Sequence, residues 1–299
     1  MDCIARQNNL GVGNMDVMYA TRIEEEKKQM SKKIAELAVN ALIQEVKLTP
    51  KPGLVDRLDN GSHDDLTVDL MVKSATTLQR TFERIAYASF GRDISQSLRE
   101  EIALIGREGE HQMFAATNGV NTHKGAIWAL GLITSAFATN YGKLNSYEVL
   151  KTAGEIASYQ DRQYADKIKT NGNVVQQKYG IRGAREEAEN GFPSIYNYAL
   201  PVFEKNIDQG KPLESTLHLT LLHLMMHVDD TCVLHRAGKK GLHFAQKESE
   251  KILDLGVTEE RLLLLNEQFI DKNISPGGCA DLLAATIFLH LLKRNFSQE

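Results

Sequence analysis

Residues 24–48 read E-E-E-K-K-Q-M-S-K-K-I-A-E-L-A-V-N-A-L-I-Q-E-V-K-L. Ile34, Leu37, Ala38, Ala41, Leu42 and Val46 recur at steps of three and four, the spacing that lines one face of an α-helix. The helix is expected to stop near Leu48, because Pro50 and Pro52 disfavour helical geometry in the residues before them. The same period returns at roughly 65–89, 96–115, 146–168, 194–206, 213–237, 241–254, 258–271 and 277–293. Another helix is expected to open after an Asn121-Thr122 cap, and Ser62 or Asp64 is expected to cap the one near 65. Alternating strand patterns are nearly absent, and only six prolines interrupt the chain. These patterns predict an all-α fold: a single globular multi-helix domain over 23–299, preceded by a poorly ordered polar extension over 1–22.

The chain of 299 residues can bury a sizeable core. Its formal net charge of -4 and pI near 6.2 give no general attraction to nucleic acid or anionic membranes, so an anionic substrate must be held by local basic groups. Three scattered cysteines (Cys3, Cys232, Cys279) form neither a disulfide framework nor a zinc pattern. No apolar run reads as a secretory signal or a membrane span, and the expected location is cytoplasmic.

The densest chemistry lies at residues 223–236, H-L-M-M-H-V-D-D-T-C-V-L-H-R. On one continuous helix, His223, His227 and Asp230 at i, i+4 and i+7 would share a face. Carboxylates, imidazoles and a guanidinium among Leu, Met and Val are costly to bury unless they pair or bind a metal or ligand. Four more segments share the form of a Gly- or Pro-rich charged loop feeding a helix: 51–65, 121–125, 170–192 and 275–281. Glycines admit backbone amides close to a ligand, and helix N-termini favour anions, so S-P-G-G (275–278) and T-H-K-G (122–125) suit phosphates. The pairs Asp64-Asp65 and Asp229-Asp230 suit Mg²⁺.

Each pattern has a structural rival. Ser275 to Asp281 also reads as an ordinary helix start, and Asn121-Thr122 as a cap with Lys124 in solvent. Asp64-Asp65 reads as complementation of a helix dipole, and Arg182 and Arg185 as a surface ion-pair face beside Glu186 and Glu187. His223 and His227 read equally as hydrogen-bonded core histidines. No strand-borne G-x-G-x-x-G, no P-loop, no H-E-x-x-H and no G-x-S-x-G is present.

Taken in order, T-P-K-P-G-L-V-D (49–56), G-S-H-D-D (61–65), T-H-K-G-A (122–126), G-F-P-S (191–194), H-V-D-D-T-C-V-L-H-R (227–236) and S-P-G-G-C-A-D-L-L-A (275–284) resemble the triphosphoribosyl-dephospho-coenzyme A synthases. The resemblance covers roughly residues 30–293 and leaves out the first thirty. It implies a helical enzyme that moves the 5-triphosphoribosyl group of ATP onto the 2′-hydroxyl of 3′-dephospho-coenzyme A and releases adenine. The product is the prosthetic-group precursor for the acyl carrier protein of citrate lyase or of malonate decarboxylase. Loss of adenine builds oxocarbenium character, which a carboxylate stabilises while a base takes the acceptor's proton.

On that reading Asp229, Asp230, His227 and His123 are the expected catalytic residues, with His63 a further candidate base. Lys51, Lys124, Arg182, Arg185, Arg236, Ser275, Gly277 and Gly278 would bind substrate. Asp64, Asp65 and Asp230 would hold Mg²⁺. The active site is expected at loop-to-helix junctions, and the apolar C-terminal helix suits a homodimer. The residues alone also allow a metal-dependent helical nucleotide phosphohydrolase, or a helical interaction protein whose polar clusters are structural.

Overall fold

The computed structural model describes residues 4–162, 171–181 and 183–296, with only the backbone for 4–17, 171 and 173. The described residues form helices and connecting loops, with no strand among them, as the periodicity predicts. Helix α1 runs over Ile4–Lys47, so it passes through the segment read as a loose extension. Met18 and Tyr19 are exposed there, and the buried stripe begins only at Met30. None of the described helices is long and apolar enough to cross a membrane.

Two helices form the centre of the fold. Almost every residue of α5 (Lys124–Thr139) from Ala126 onward is buried, as is most of α13 (Gly277–Phe296) from Cys279 to Leu292. A helix apolar on every side must be surrounded, and both are. α5 packs on α13, on α1, on α3 (Gln79–Ser89), on α4 (Gln96–Ala116) and on α6 (Ser146–Ser158). α13 packs also on α10 (Leu213–His227) and α11 (Thr231–Leu255).

Local chemistry sets the helix ends, and several differ from the expected ones. Thr67, rather than Ser62 or Asp64, caps α2 (Val68–Thr77), its hydroxyl accepting from Leu70 N at 3.2 Å. The stretch expected as one helix near 65–89 is divided at Leu78 into α2 and α3. Residues 170–192, read as loop, contain α7 (Asn171–Tyr179) and α8 (Ala184–Glu189). The helix expected near 194 opens as a π turn, Ile195–Ala199, before α9 (Leu200–Asp208). Pro201 lacks the amide that would bond four residues back, which disfavours a regular α start there. The last helices are α12 (Glu259–Asp271), capped by Thr258, and α13.

The expected helix 213–237 is broken inside the key motif. α10 ends at His227, Val228 is extended, and α11 begins at Thr231. The break expected near 238–240 is instead a kink within α11, where Gly238 takes φ 66° and ψ −169°. His223, His227 and Asp230 therefore do not share one helix face. Asp230 is itself the N-cap of the second helix, and its extended backbone cannot continue the first.

Two glycines report how closely helices approach. A Cβ on Gly154 in α6 would lie 2.8 Å from Gly191 N, a backbone atom that cannot swing away. On Gly106 in α4 it would meet only Ile127 Cγ2, at 3.8 Å. Gly154→Ala should therefore destabilise the fold by about 1–3 kcal/mol, while Gly106→Ala should be neutral or stabilise by up to ~1 kcal/mol. Urea unfolding of both variants checks the pair; equal midpoints would refute this account of the α6 packing.

Candidate active site

Asp230 is 2% exposed and lies between two helix starts. Its Oδ1 accepts from Cys232 N at 2.7 Å and Val233 N at 3.2 Å, capping α11. Its Oδ2 accepts from Cys279 N at 2.9 Å, in the first turn of α13. A side chain at Gly278 would press on the same carboxylate, at 3.0 Å from Oδ2. Burial raises its pKa, and the three amides oppose that shift. As expected, S-P-G-G and H-V-D-D form one structure, but Asp230 spends its oxygens on backbone amides.

Asp281, near the start of α13, makes a second such joint. It projects from α13 onto the start of α5, where a Cβ on Gly125 would fall 2.0 Å from its Oδ2 and the Ala126 amide donates to it. Burial of the carboxyl, with Glu45 and then Asp230 close by, pushes its pKa well above the ordinary carboxylate value. The N-termini of α5, α11 and α13 are thus fastened together by two carboxylates. Partial positive charge at each helix start favours those carboxylates and any further anion brought there.

Beneath them lies a buried ion pair. Lys51 (2% exposed) sets its Nζ 2.6 Å from Glu45 Oε1 (4% exposed) at the end of α1. Lys51 had been expected to reach a phosphate. The T-P-K-P-G loop instead turns inward, with Asp56 Oδ2 accepting from Lys51 N at 2.6 Å. Glu45 had a sequence signal of its own, since it stands four residues after Ala41 and three after Leu42 on the apolar stripe. A carboxylate there requires a buried partner.

His123, in front of α5, is 3% exposed. Its Nδ1 lies 2.9 Å from Ser74 Oγ, and its Nε2 has no hydrogen-bond partner among the described residues. Burial, and then the Lys51 charge, lowers its pKa to about 3. It is a neutral hydrogen-bonding group at neutral pH and too weak a base to hold the acceptor's proton. Asn121 Oδ1 accepts from Lys124 N at 3.3 Å, but the N-cap of α5 is His123, without a side-chain cap bond, rather than the expected Asn121-Thr122. The Lys124 side chain pairs with Glu110 at 3.0 Å.

The remaining candidates fall into two groups. His63 Nε2 is 2.8 Å from Ser275 Oγ, and Arg236 Nη2 donates to Ser62 O and, at 2.6 Å, to Asn273 Oδ1. These contacts tie the 51–65 loop to the loop before α13. Gly183 brings the 170–192 segment in, since a Cβ there would lie 2.4 Å from Thr231 Cγ2. All five segments therefore meet. Asp229 and His227 are exposed beside Asp230; His227 stacks on Tyr198 with centroids 3.7 Å apart, and Gln246 Nε2 approaches Asp229 Oδ1 at 3.4 Å.

The second group stands apart from these joints. Asp64 and Asp65 are exposed in the loop before α2, with Asp65 3.9 Å from His63 Nδ1. Asp64, Asp65 and Asp230 do not form a ligand cluster, and no group of three or more His, Cys, Asp or Glu poised to hold a metal occurs among the described residues. Arg185 pairs with Glu189 at 2.8 Å on the surface of α8. Arg182 lies outside the described residues. Burial and the nearby Asp230 hold the Cys279 thiol well above its ordinary pKa, consistent with its not being a nucleophile.

Two outcomes follow from this geometry. Asp230→Ala should cost about 2 kcal/mol or more in urea unfolding, because it leaves the starts of two helices uncapped. An unchanged midpoint would show that the joint is dispensable. His123 is kept neutral when folded but takes a proton near pH 6.5 when unfolded, so stability is lost as pH falls below that value. Between pH 6.5 and 5 the wild type should lose about 2 kcal/mol more than His123→Asn. Parallel unfolding profiles for the two proteins would contradict this.

A profile of the ATP:dephospho-CoA triphosphoribosyl transferase family matches residues 31–299. A probable 2-(5″-triphosphoribosyl)-3′-dephosphocoenzyme-A synthase of Pseudomonas fluorescens (strain Pf0-1) is 44% identical over 285 residues, covering 93% of this chain and 98% of its own. Its counterpart in Pseudomonas savastanoi pv. phaseolicola is 41% identical over 278 residues, covering 91% and 95%. The 2-(5″-triphosphoribosyl)-3′-dephosphocoenzyme-A synthase of Klebsiella pneumoniae is 42% identical over 261 residues, covering 86% and 93%. No solved structure matches the chain. With nearly the whole domain matched, and the motifs of five separate segments meeting at one place, this chain belongs to the ATP:dephospho-CoA triphosphoribosyl transferase family.

Proposed function

We propose that this chain transfers the 5-triphosphoribosyl group of ATP to the 2′-hydroxyl of 3′-dephospho-coenzyme A at the junction of α5, α11 and α13. The observation that carries the location is the double joint, Asp230 on Cys279 N and Asp281 on the α5 start, which gathers three helix N-termini at one place. Such a place is suited to a triphosphate. Lys124 and the S-P-G-G amides border it, and Arg236 holds the loop that closes it.

In the reaction the C1′–N9 bond of ATP breaks and its electron pair leaves with adenine. The acceptor O2′–C1′ bond forms, and the proton of the 2′-hydroxyl is matched by one gained by adenine. Positive charge at C1′ in between is stabilised by neighbouring carboxylates. Asp229, exposed beside the joint, is assigned that role. Asp281, whose carboxyl burial keeps protonated above the ordinary range, is assigned to protonate the departing base. His227, on the rim, is assigned to receive the acceptor's proton. Asp230 acts as a positioning residue, because its oxygens are engaged by amides.

Mg²⁺ fits the donors that remain. It commonly takes one or two carboxylates together with substrate phosphates and water. Asp229 at the junction offers oxygens not committed to backbone amides, whereas Asp230 does not, and Asp64 and Asp65 stand apart from the joints. When bound, the ion would neutralise triphosphate charge. The product serves as prosthetic-group precursor for the acyl carrier protein of citrate lyase or malonate decarboxylase, and the reaction takes place in the cytoplasm. The apolar C-terminal helix, expected to suit a homodimer, buries that apolar surface inside the fold instead.

Incubation with ATP, Mg²⁺ and dephospho-coenzyme A should release adenine, and only when both substrates are present. Phosphate release instead would favour a nucleotide phosphohydrolase. Asp281→Asn should lower kcat by about 100-fold or more with little change in KM for ATP. It should also remove the fall in wild-type kcat that occurs as rising pH takes the proton from Asp281. Near-normal turnover in that variant would refute its role as the acid.

A further inference from the structure

The reaction has two polyanionic substrates, yet two of the three cations named at the three-helix junction are neutralised by carboxylates. Lys51 is paired with Glu45, Lys124 with Glu110, and Arg236 with Ser62 O and Asn273. A separate groove of about 780 Å³ lies along α3, which forms its floor, with α1 and α4 as walls. That volume falls within the range of small-molecule sites. Lys27, Lys28, Arg80, Arg84 and Arg92 line it, against the carboxylates of Glu83 and Glu101.

Not all of this charge is internally balanced. Lys28 faces Glu24 at 3.5 Å, Arg84 is held by Glu108, and Arg92 by Glu101 at 2.5 Å. Arg80 makes no hydrogen bond or ion pair among the described residues and is exposed. Lys27 rests over the Tyr87 ring, 3.9 Å from its centroid, and feels the charge of Glu24, whose carboxylate the Tyr87 hydroxyl and Lys28 already engage. On the α1 wall Ser31 is 1% exposed, and its Oγ has no hydrogen-bond partner among the described residues.

The groove also adjoins the junction. Ser74 of α2 holds His123 Nδ1, and Thr76 and Thr77, within one turn of it on the same helix, line the groove. α3 has 11 residues, a floor about 16 Å long. We propose that this groove is the acceptor site: it binds an elongated diphosphate ester, here dephospho-coenzyme A, by its 5′-diphosphate and extended arm. Arg80 and Lys27 take the phosphates, and the ribose is presented past α2 toward His123. The proposal rests on the transferase reading above.

The test is the double variant Lys27→Glu, Arg80→Glu, with both changes outside the core so that folding is retained, as circular dichroism and the melting temperature will verify. Calorimetric titration with dephospho-coenzyme A in the absence of ATP should show a Kd raised about tenfold or more. In steady state KM for the acceptor should rise likewise, with KM for ATP unchanged and kcat recovered at saturating acceptor. An unchanged acceptor Kd overturns the proposal. So does an equal weakening for ATP, which would mark a general field effect, or an absence of acceptor binding to the wild type. Because the titration needs no turnover, failure of the transferase reading would appear separately, as wild-type protein that releases no adenine.

Discussion

The carboxylate of Asp230 is the contact on which the candidate site depends. It accepts amides from the first turn of α11 and from Cys279, 49 residues further along the chain in the first turn of α13. A helix start leaves several N–H groups without intrahelical partners, and burying two starts side by side would be costly without an acceptor between them. One buried aspartate meets that demand, and the close approach leaves no room for a side chain at Gly278. Asp281 repeats the device on α5. Three helix ends that would otherwise repel one another are held at a single place.

That arrangement sets the electrostatics of everything nearby. The helix starts favour anions, while buried Asp230 and Glu45 add carboxylates of their own. Lys51 balances Glu45 inside the protein and, by its charge, keeps His123 neutral. A carboxyl that holds its proton above the ordinary carboxylate range and an imidazole that stays neutral well below its ordinary pKa therefore stand together in one cluster. Burial is the leading cause in both cases.

Much of this was legible beforehand. The three- and four-residue period fixed the fold class, and most helix centres lie where the pattern predicted. The five loop-to-helix segments do meet. Roles were harder to read than membership. Lys51 looked like a phosphate ligand because it stands in a Pro- and Gly-rich loop, but the loop folds inward onto Asp56 and its ammonium pairs with Glu45. His223, His227 and Asp230 seemed to share a helix face because a capping aspartate and a helix-interior one look alike without the backbone. Glu45 was visible as a carboxylate on an apolar stripe, whereas Asp281 gave only the weak signal of an acid in a first turn.

What the sequence by itself determined was therefore the fold class, most helix centres, the family and the segments that carry chemistry. Those follow from local periodicity, capping residues and motif order, all of which act over a few residues. Only the tertiary structure decided which carboxylate caps which helix, which lysine is neutralised inside, and that α3 floors a cationic groove. These depend on contacts between residues tens to hundreds of positions apart, such as Gly125 with Asp281 or Ser62 with Arg236. The same side chain can satisfy a buried amide or meet a ligand, and only packing determines which.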